Sequence, residues 1–459
     1  MNESRVALLK TARHWVESGE FASDLGALVA IPTESQNPAS GAELHHYLRE
    51  AMPGLLPDWQ LEIIENPVKD GPPFLIAKLI EDAALPTVLT YGHGDVVWGQ
   101  AGEWQENHDP FSVTQVGDRL YGRGTADNKS QHLIDLKTLE LLRQSHGKLG
   151  FNVTLLLEMG EESGSLGLEE LVRARKDDLK ADIFIASDGP RLSPDVPTLF
   201  GGSRGAMNFA LSVNLRKRAH HSGNWGGLLA DPAQRLAHAL ATIANPSGEI
   251  RVPAWQTATP DVTTRETLKN LPVGTGGPTL SPGWGGDKLS AAEKVFAANA
   301  FAVLALECGH PEAPQNAINP FARAFCQLRF VTETAPKDIL PGLRQHLDKH
   351  GFADLKIEGE PTHFAPATQL DPNHPLMLKA ARFVERTAGV KPHVTPNLGG
   401  YIPNHVFSDI LGLPTIWLPH SYGGCNQHAP DEHVLLPVIT SAAEVMAGLW
   451  WDIAAGEVL

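Results

Sequence analysis

The chain has 459 residues, of which 42% are hydrophobic and 20% are charged. This length exceeds what one hydrophobic core ordinarily supports, so we expect a globular protein of two domains. Acidic side chains outnumber basic ones and give a net charge of −16. That balance, in which no Lys or Arg run offers a phosphate-binding surface, argues against nucleic acid and anionic membranes as partners.

The cysteines and the amino-terminal segment bear on the compartment. Cys308, Cys326 and Cys425 are far apart and form no CxxC pair, which is typical of a reducing compartment and predicts no disulfide framework. Charged residues occur throughout the first thirty positions, with no apolar signal-peptide core and no run long enough for a membrane span. We therefore predict a cytoplasmic protein with no membrane partner.

The elements predicted in the first part of the chain alternate between helices and strands. Apolar residues at helical spacing indicate helices at the amino terminus, and short apolar, β-rich runs indicate strands. The later predicted elements are strands 74–80 and 87–91, helix 130–145, strand 153–158, helix 168–174 and strand 182–186. This alternation predicts an α/β fold with a mainly parallel sheet covered by helices.

The pattern changes after Gly205. The predicted elements are strand 207–215, helix 231–244, strand 322–331, helix 336–349 and strand 355–360. Two strand and helix units of this kind predict a smaller α+β sandwich. A Pro-, Gly- and Thr-rich stretch at 246–286 interrupts them, and either covers the active-site cleft or extends a dimer contact.

The first pattern returns after His374, with a predicted helix at 374–388 and a strand at 415–418. The simplest architecture is one catalytic domain formed by both ends of the chain, with the α+β domain inserted between them. The predicted boundaries are 1–204 and 365–459 for the catalytic domain and 205–364 for the inserted domain.

Five short segments carry His, Asp and Glu side chains after predicted strands or in glycine-containing turns. Their candidate residues are His93 and Asp95 in GHGDVV, Asp127 in GRGTADNKS, Glu161 and Glu162 in LLLEMGEESGS, Asp188 in ASDGP and His428 in CNQHAPDEH. Open α/β sheets bind ligands at the carboxyl ends of their strands, so these side chains can converge. Imidazole and carboxylate ligands without thiolate favour zinc, with manganese or cobalt as alternative occupants.

Each segment taken alone also has a purely structural interpretation. A solitary His or Asp after a strand is commonly a turn residue. Glu161 and Glu162 could form a solvated helix start, where carboxylates favour the positive end of the helix dipole. Five such segments, each following an apolar run, are difficult to explain as turns, so we interpret them as one site.

In order, sequence and spacing, these segments resemble the signature of the di-zinc aminoacylase and dipeptidase family. That family includes carnosine dipeptidase, carboxypeptidase G, acetylornithine deacetylase and succinyl-diaminopimelate desuccinylase. The resemblance extends from LVAIP at 28–32 to HAP at 428–430. It implies a zinc-peptidase catalytic domain, an inserted domain that serves as lid and dimerisation surface, and therefore a homodimer.

The resemblance assigns two divalent metal ions to particular side chains. It implies that His93, Asp127 and Asp188 hold one ion, and that Asp127, Glu162 and His428 hold the other. Asp127 is then shared, and the peptide bond after it is expected to be cis. Metals that share a carboxylate lie about 3.5–4 Å apart and clamp both the attacking and the developing oxygen.

The resemblance also implies the catalytic groups. Asp95 is expected to orient the His93 imidazole. Glu161 is expected to be the general base, which takes a proton from the water that bridges the metals and delivers it to the leaving amine. His221, in RAHHSGNWGG, is expected to stabilise the oxyanion from across the dimer, while His220 beside it has no such role. Packing within a turn is the alternative for His221.

Three further matches concern the substrate. QNAINP resembles the family's Asn-x-Ile-Pro turn and offers Asn316, although one additional residue precedes the proline. Arg329, in QLRF, matches an arginine that binds the substrate carboxylate, with a buried ion pair as the alternative. LGGYIP resembles a substrate loop in which Gly399 and Gly400 offer backbone amides. Tyr401 stands where the family has a small hydroxyl residue, which implies a differently shaped pocket.

The leading hypothesis is a two-metal hydrolase that cleaves the amide bond of a dipeptide or small peptide. Asp188 favours it, because many deacylases and carboxypeptidases of the family have Glu there. The alternative is an N-acyl amino acid deacylase, with an acetylornithine or succinyl-diaminopimelate type of substrate. An inactive binding module is disfavoured because Glu161 and every ligand position are retained. A nucleotide- or flavin-dependent enzyme is disfavoured because neither GxGxxG after a strand nor a P-loop occurs.

Overall fold

The computed structural model describes residues 3–274, 277–359 and 364–457. Its α-helices are α1 (Glu3–Glu17), α2 (Glu20–Val29), α3 (Gly41–His46), α4 (Met52–Leu55), α5 (Lys129–His146), α6 (Leu168–Ala174), α7 (Ser222–Trp225), α8 (Pro232–Ile243), α9 (Val262–Leu268), α10 (Ala291–Phe296), α11 (Pro336–Lys349), α12 (Pro375–Ala388) and α13 (Leu436–Ala454). Its strands are β1 (Gln60–Ile64), β2 (Phe74–Leu79), β3 (Thr87–His93), β4 (Thr114–Val116), β5 (Arg119–Tyr121), β6 (Asn152–Glu158), β7 (Ile183–Ala186), β8 (Pro190–Arg191), β9 (Thr198–Phe200), β10 (Gly205–Asn214), β11 (His220–His221), β12 (Ala300–Glu307), β13 (Ala317–Ile318), β14 (Phe321–Phe330), β15 (Lys356–Glu358), β16 (Phe364–Ala365), β17 (His393–Thr395), β18 (Thr415–Trp417), β19 (Ser421–Tyr422) and β20 (His433–Leu435).

The larger sheet has eight strands in the order β1-β2-β6-β3-β7-β18-β9-β17. Its centre, β6-β3-β7-β18, is parallel, and β9 pairs with β17 in parallel. Antiparallel pairing occurs where β1 and β2 join one edge and where β9 meets β18. The predicted parallel sheet is therefore confirmed, with an antiparallel edge added to it.

Helices and loops cover both faces of this sheet, as a parallel sheet requires. Leu155 and Leu157 of β6 point into a core shared with α1, α5, α12 and α13. Leu156, between them, points into the opposite core, which includes α6 and residues of the 402–417 segment. The alternation follows from the two-residue period of a strand. It also explains why β6 is apolar along most of its length and buried throughout.

The second sheet is antiparallel, with the order β12-β14-β10-β15 and with β16 also paired to β10. Helices α8 and α11 pack on it around Trp255, which is fully buried and donates its indole N–H to the carbonyl of Ile339. This is the predicted α+β sandwich. The predicted strand 355–360 corresponds to β15, but Glu360 lies outside the described residues.

Two of the longer elements are absent from those predicted. Strand β12 lies at the edge of the second sheet, with nearly all its residues exposed. Helix α13 is buried over most of its length and packs against α1, α5 and α12. The Gly-rich stretch 246–286, apart from positions 275–276 that the structure does not describe, contains α9. Leu268 of α9 packs with Phe296 of α10 and with Leu192.

The strands of the two sheets come from separate parts of the chain. Those of the larger sheet lie between residues 60–200 and 393–417, and those of the second sheet lie between 205–365. This arrangement supports an inserted second domain, and the boundaries at 204 and 364 stay a prediction. No helix in the described part of the chain is long and apolar enough to cross a membrane.

Candidate active site

Three neighbouring parallel strands bring the predicted side chains to one edge of the larger sheet. His93 is the last residue of β3, Asp188 follows β7, and Glu161 and Glu162 follow β6 in a short 3₁₀ turn. Strands β6, β3 and β7 are adjacent and parallel. Their carboxyl ends therefore meet at the same edge, as the sequence predicts.

Two glycines let the backbone around His93 approach its neighbours closely. A Cβ atom at Gly92 would lie 2.6 Å from the Cβ of His132. A Cβ atom at Gly94 would lie 2.6 Å from a ring carbon of Tyr47. Only glycine fits at these positions without displacing the neighbours, so the GHG sequence fixes where the imidazole emerges.

One candidate metal group consists of His93, Asp127 and Asp188. The Nε2 atom of His93 lies 3.1 Å from Oδ1 of Asp127 and 3.8 Å from Oδ2 of Asp188. One ligand atom from each residue lies within 4.8 Å of the others. The His93 side chain is fully buried, and that of Asp188 is 5% exposed. The three groups thus converge in a dry part of the site.

A second group shares Asp127 with the first and adds Glu162 and His428. Nε2 of His428 lies 3.1 Å from Oδ2 of Asp127 and 3.1 Å from Oε2 of Glu162. The two oxygens of Asp127 therefore face different histidines. The side chain of His428 is 57% exposed, so this group lies nearer the solvent. The peptide bond between Asp127 and Asn128 is cis, as the resemblance implies.

Asp95 connects the first group to the predicted base. Nδ1 of His93 contacts the backbone oxygen of Asp95 at 3.1 Å and its carboxylate at 3.4 Å. The two carboxylate oxygens of Asp95 accept hydrogen bonds from the backbone N–H groups of Glu161 and Glu162, at 3.2 and 3.1 Å. Asp95 is fully buried. It therefore holds both the imidazole and the turn that carries the two glutamates.

Three crowded carboxyl groups of the site, those of Glu161, Glu162 and Asp188, have raised pKa values. Burial raises the pKa of Glu162 to about 7, and the charge of Asp127 adds to that rise. Burial and Asp127 likewise raise the pKa of Asp188 to about 6. The pKa of Glu161 is raised well above its ordinary value by burial, and the charges of Glu162 and Asp188 contribute.

The donor set fits divalent cations. Oε1 of Glu162 is buried without a hydrogen-bond partner, and an unpaired buried carboxylate oxygen is costly unless a cation or a donor meets it. Repulsion among the carboxylates would also fall if positive charge were added between them. Imidazole and carboxylate ligands without thiolate suit zinc.

His221 lies on a separate two-stranded sheet formed by β11 and β13, and Asn316 directly precedes β13. The backbone N–H of Ser222, next to His221, donates to the carbonyl of Asn316 at 2.9 Å. Both side chains are exposed. Among the described residues, no hydrogen bond or ion pair joins either side chain to the two candidate metal groups. The structure thus brings these two predicted residues to each other, and not to the metal groups within one chain.

Arg204 was missing from the predicted site residues, and it lies near two that were predicted, Gly399 and Arg329. Its Nε donates to the carbonyl of Gly399 at 2.9 Å. Burial and the nearby positive charge of Arg329 together lower the pKa of Arg204 to about 10. Arg329 bonds through Nε to the neutral Gln327, and its Nη1 is buried without a partner. Nothing in the local sequence GGSRGAM distinguishes Arg204 as a site residue.

The loop that carries Gly399 and Gly400 is tightly packed on one side. A Cβ atom at Gly399 would lie 2.7 Å from Val295, whereas one at Gly400 would meet only Leu398 at ordinary contact distance. Tyr401, which follows, points its hydroxyl toward Nδ1 of His405 at 3.4 Å. Burial raises the pKa of Tyr401, and the charge of Glu161 contributes to the rise. Tyr401 therefore lies on the Glu161 side of the loop.

Known proteins resemble this chain in sequence and in fold. A model described as Peptidase family M20/M25/M40 matches residues 89–452. The Beta-Ala-His dipeptidase of Mus musculus is 34% identical over 265 residues, covering 54% of this chain and 53% of that protein. The chain thus aligns with about half the length of this relative.

Two further proteins match over more of their length. The Cysteinylglycine-S-conjugate dipeptidase of Corynebacterium striatum is 25% identical over 367 residues, 79% of each protein. The solved structure of the di-peptidase Dug1p from Saccharomyces cerevisiae has a TM-score of 0.79 at 20% identity, covering 97% of this chain and 98% of that one, which shows a common fold. Because the family model spans most of the chain, the protein belongs to peptidase family M20/M25/M40.

Proposed function

We propose that the chain is a metal-dependent hydrolase that cleaves the amide bond of a dipeptide or small peptide. The observation that carries the proposal is the pair of His and carboxylate groups that share Asp127, with Glu161 held beside them. Membership of a peptidase family and the dipeptidase names of its relatives support this substrate class. The cytoplasmic location stays a prediction.

His93, Asp127 and Asp188 would hold one divalent ion, and Asp127, Glu162 and His428 the other. Zinc is the proposed ion, since the ligands are imidazole and carboxylate. When bound, such ions polarise the scissile carbonyl and favour deprotonation of the attacking water. Asp95 keeps the His93 imidazole in a fixed orientation through Nδ1, which leaves Nε2 directed at the group.

Glu161 acts as the proton carrier in this proposal. Burial raises the pKa of its carboxyl, which makes the carboxylate a stronger base than an exposed glutamate. It takes a proton from the attacking water at a carboxylate oxygen and delivers that proton to the nitrogen of the leaving amine. Asp95 fixes the backbone of this turn, so Glu161 and Glu162 keep different orientations and different roles.

Arg329 and Arg204 are proposed to receive the carboxylate of the substrate. Neither forms an ion pair with an acidic side chain among the described residues, and each bonds only to neutral groups. A buried guanidinium N–H without a partner is costly, and a substrate carboxylate would satisfy it. Gly399 and Gly400 would border the same pocket, with Tyr401 reducing its width.

A homodimer is proposed to form through the second sheet. β12 is an edge strand whose Val303, Leu304 and Leu306 are 41%, 57% and 67% exposed. An exposed apolar edge strand is ordinarily covered by a partner. His221, which lies near Asn316, is exposed, and among the described residues it forms no hydrogen bond or ion pair with the metal groups of its own chain. We therefore propose that His221 contributes to the active site of the second copy.

The first prediction concerns Glu161. The variant Glu161→Gln should bind metal as the wild type does, yet lose about 10²-fold or more in kcat, because the proton carrier is removed. The control is Glu170→Gln, which changes an exposed carboxylate on α6. Hydrolysis is measured by amine release from dipeptides and from N-acetyl and N-succinyl amino acids.

We expect the wild type and Glu170→Gln to hydrolyse dipeptides rapidly. Glu161→Gln should lose this activity. If the wild type preferred N-acyl amino acids, the result would support the deacylase function in place of the peptidase function. Equal activity of the two variants would contradict the role of Glu161.

The second prediction concerns pH. The raised pKa values of Glu162, about 7, and Asp188, about 6, mean that protons compete with metal near neutrality. Zinc affinity should rise between about pH 5 and about pH 8, and should weaken roughly tenfold per pH unit for each proton displaced as pH falls through these values. Competition with a chromophoric chelator measures it. An affinity independent of pH between about pH 8 and about pH 5 would show that these carboxylates do not bind the metal.

The third prediction concerns assembly. The double variant Leu304→Lys with Leu306→Lys should run as a monomer in light scattering coupled to size exclusion, because charge on an edge strand opposes pairing. Its hydrolysis should fall with the loss of His221 of the partner subunit. The control is Val262→Lys, whose side chain is 77% exposed on α9, and it should remain dimeric. A monomeric wild type, or a monomeric variant of full activity, would refute this assembly.

A further inference from the structure

One buried carboxylate outside the candidate metal groups lies where three of their loops meet. Glu432 is 1% exposed. Its Oε1 accepts hydrogen bonds from the backbone N–H groups of Ala126 and Asp127, at 2.8 and 3.0 Å. Its Oε2 accepts from the N–H of Gly124 at 3.0 Å and from the guanidinium of Arg123 at 2.8 Å. Within the described part of the chain, all four hydrogen bonds of this side chain are thus with the loop that carries Asp127.

Arg123 extends the connection to a third segment. It is fully buried, its Nε donates to the carbonyl of Trp98 at 3.1 Å, and its Nη2 donates to the side chain of Gln100 at 3.0 Å. Its guanidinium also lies 5.6 Å from the centre of the Trp104 ring. Trp98 and Gln100 follow Asp95 in the chain. Arg123, which belongs to the Asp127 loop, therefore joins the segment after Asp95 to that loop.

The segment that supplies Glu432 also supplies His428, four residues earlier. The backbone of Glu432 adds a further link, because its carbonyl accepts from the N–H of Gly122 at 3.0 Å. The bonds between Glu432 and the loop join residues 305 to 309 positions apart in the chain. The Glu432 carboxylate therefore links the Asp127 loop to the segment that carries His428, beside the pairing of β5 with β20.

We propose that Glu432 is a positioning residue for the metal pair, acting through Asp127 and supported by Arg123. By accepting the N–H of Asp127, Glu432 fixes the backbone from which the shared carboxylate extends. Without it, three backbone N–H groups and the Nη1 group of Arg123 would lose their buried acceptor. The Asp127 loop would then relax, and both metal groups would lose their common ligand geometry.

This inference rests on the metal-binding role proposed for Asp127, and it is independent of the substrate. If the ion pair of Glu432 with Arg123 were purely structural, its removal would lower the stability of the protein without a specific effect on metal binding. The chain offers a matched control in Asp452 of α13, which is fully buried and pairs with Arg5 at 3.0 and 3.2 Å. Asp452 makes no contact with either metal group.

The experiment titrates Co²⁺ and Zn²⁺ into the metal-free full-length wild type, Glu432→Gln and Asp452→Asn. Cobalt binding is followed by its visible absorption, zinc binding by chelator competition, and folding by thermal unfolding of each metal-free protein. Glu432→Gln should weaken the binding of both ions by about 10–100-fold and change the cobalt spectrum. Asp452→Asn should lower the unfolding temperature while leaving affinity and spectrum at the wild-type values.

The proposal would be overturned if Glu432→Gln bound both ions with the same affinity and the same cobalt spectrum as Asp452→Asn. If Glu432→Gln does not fold, Glu432→Asp keeps the charge with a shorter reach, and should fold and still bind both ions more weakly than the wild type. Wild-type affinity in Glu432→Asp would then overturn it. A wild type that binds two ions but hydrolyses no peptide contradicts the proposed function alone, whereas a wild type that binds none contradicts both.

Discussion

The site depends on a single shared carboxylate. The two oxygens of Asp127 each lie 3.1 Å from a different histidine, one at the end of β3 and one 301 residues after Asp127 in the chain. Two further carboxylates, Asp188 and Glu162, crowd the same space, and burial raises the pKa of both. Such a cluster is unfavourable for a protein alone and favourable around cations. The metal-ion proposal and the assignment of Glu161 both follow from this arrangement.

The rest of the fold holds that cluster in place. Parallel pairing of β6, β3 and β7 brings three ligand segments to one edge, and apolar cores on both faces keep those strands fixed. Hydrogen bonds from the turn of Glu161 and Glu162 to Asp95 then set the loops relative to one another. Metal-binding side chains that lie at strand ends and are supported by buried hydrogen bonds are placed more precisely than those on unsupported loops.

Much of this could be read from the sequence because the signals are local. Helices α6 and α11 match the predicted ranges, since their apolar periodicity is set by their own residues. Arg204 and Glu432 could not be found in this way, because their roles arise from contacts with residues distant in the chain. β12 was missed because it is an apolar strand left exposed, and α13 because it is apolar around most of its circumference, which weakens the helical pattern.

The most direct test of the central claim is anomalous X-ray diffraction at the zinc absorption edge, from crystals of the wild type grown with zinc. We predict two anomalous peaks at the edge of the larger sheet. One should be bound by His93 and Asp188, the other by Glu162 and His428, with Asp127 between them. A single peak, or peaks that Asp127 does not touch, would contradict the account.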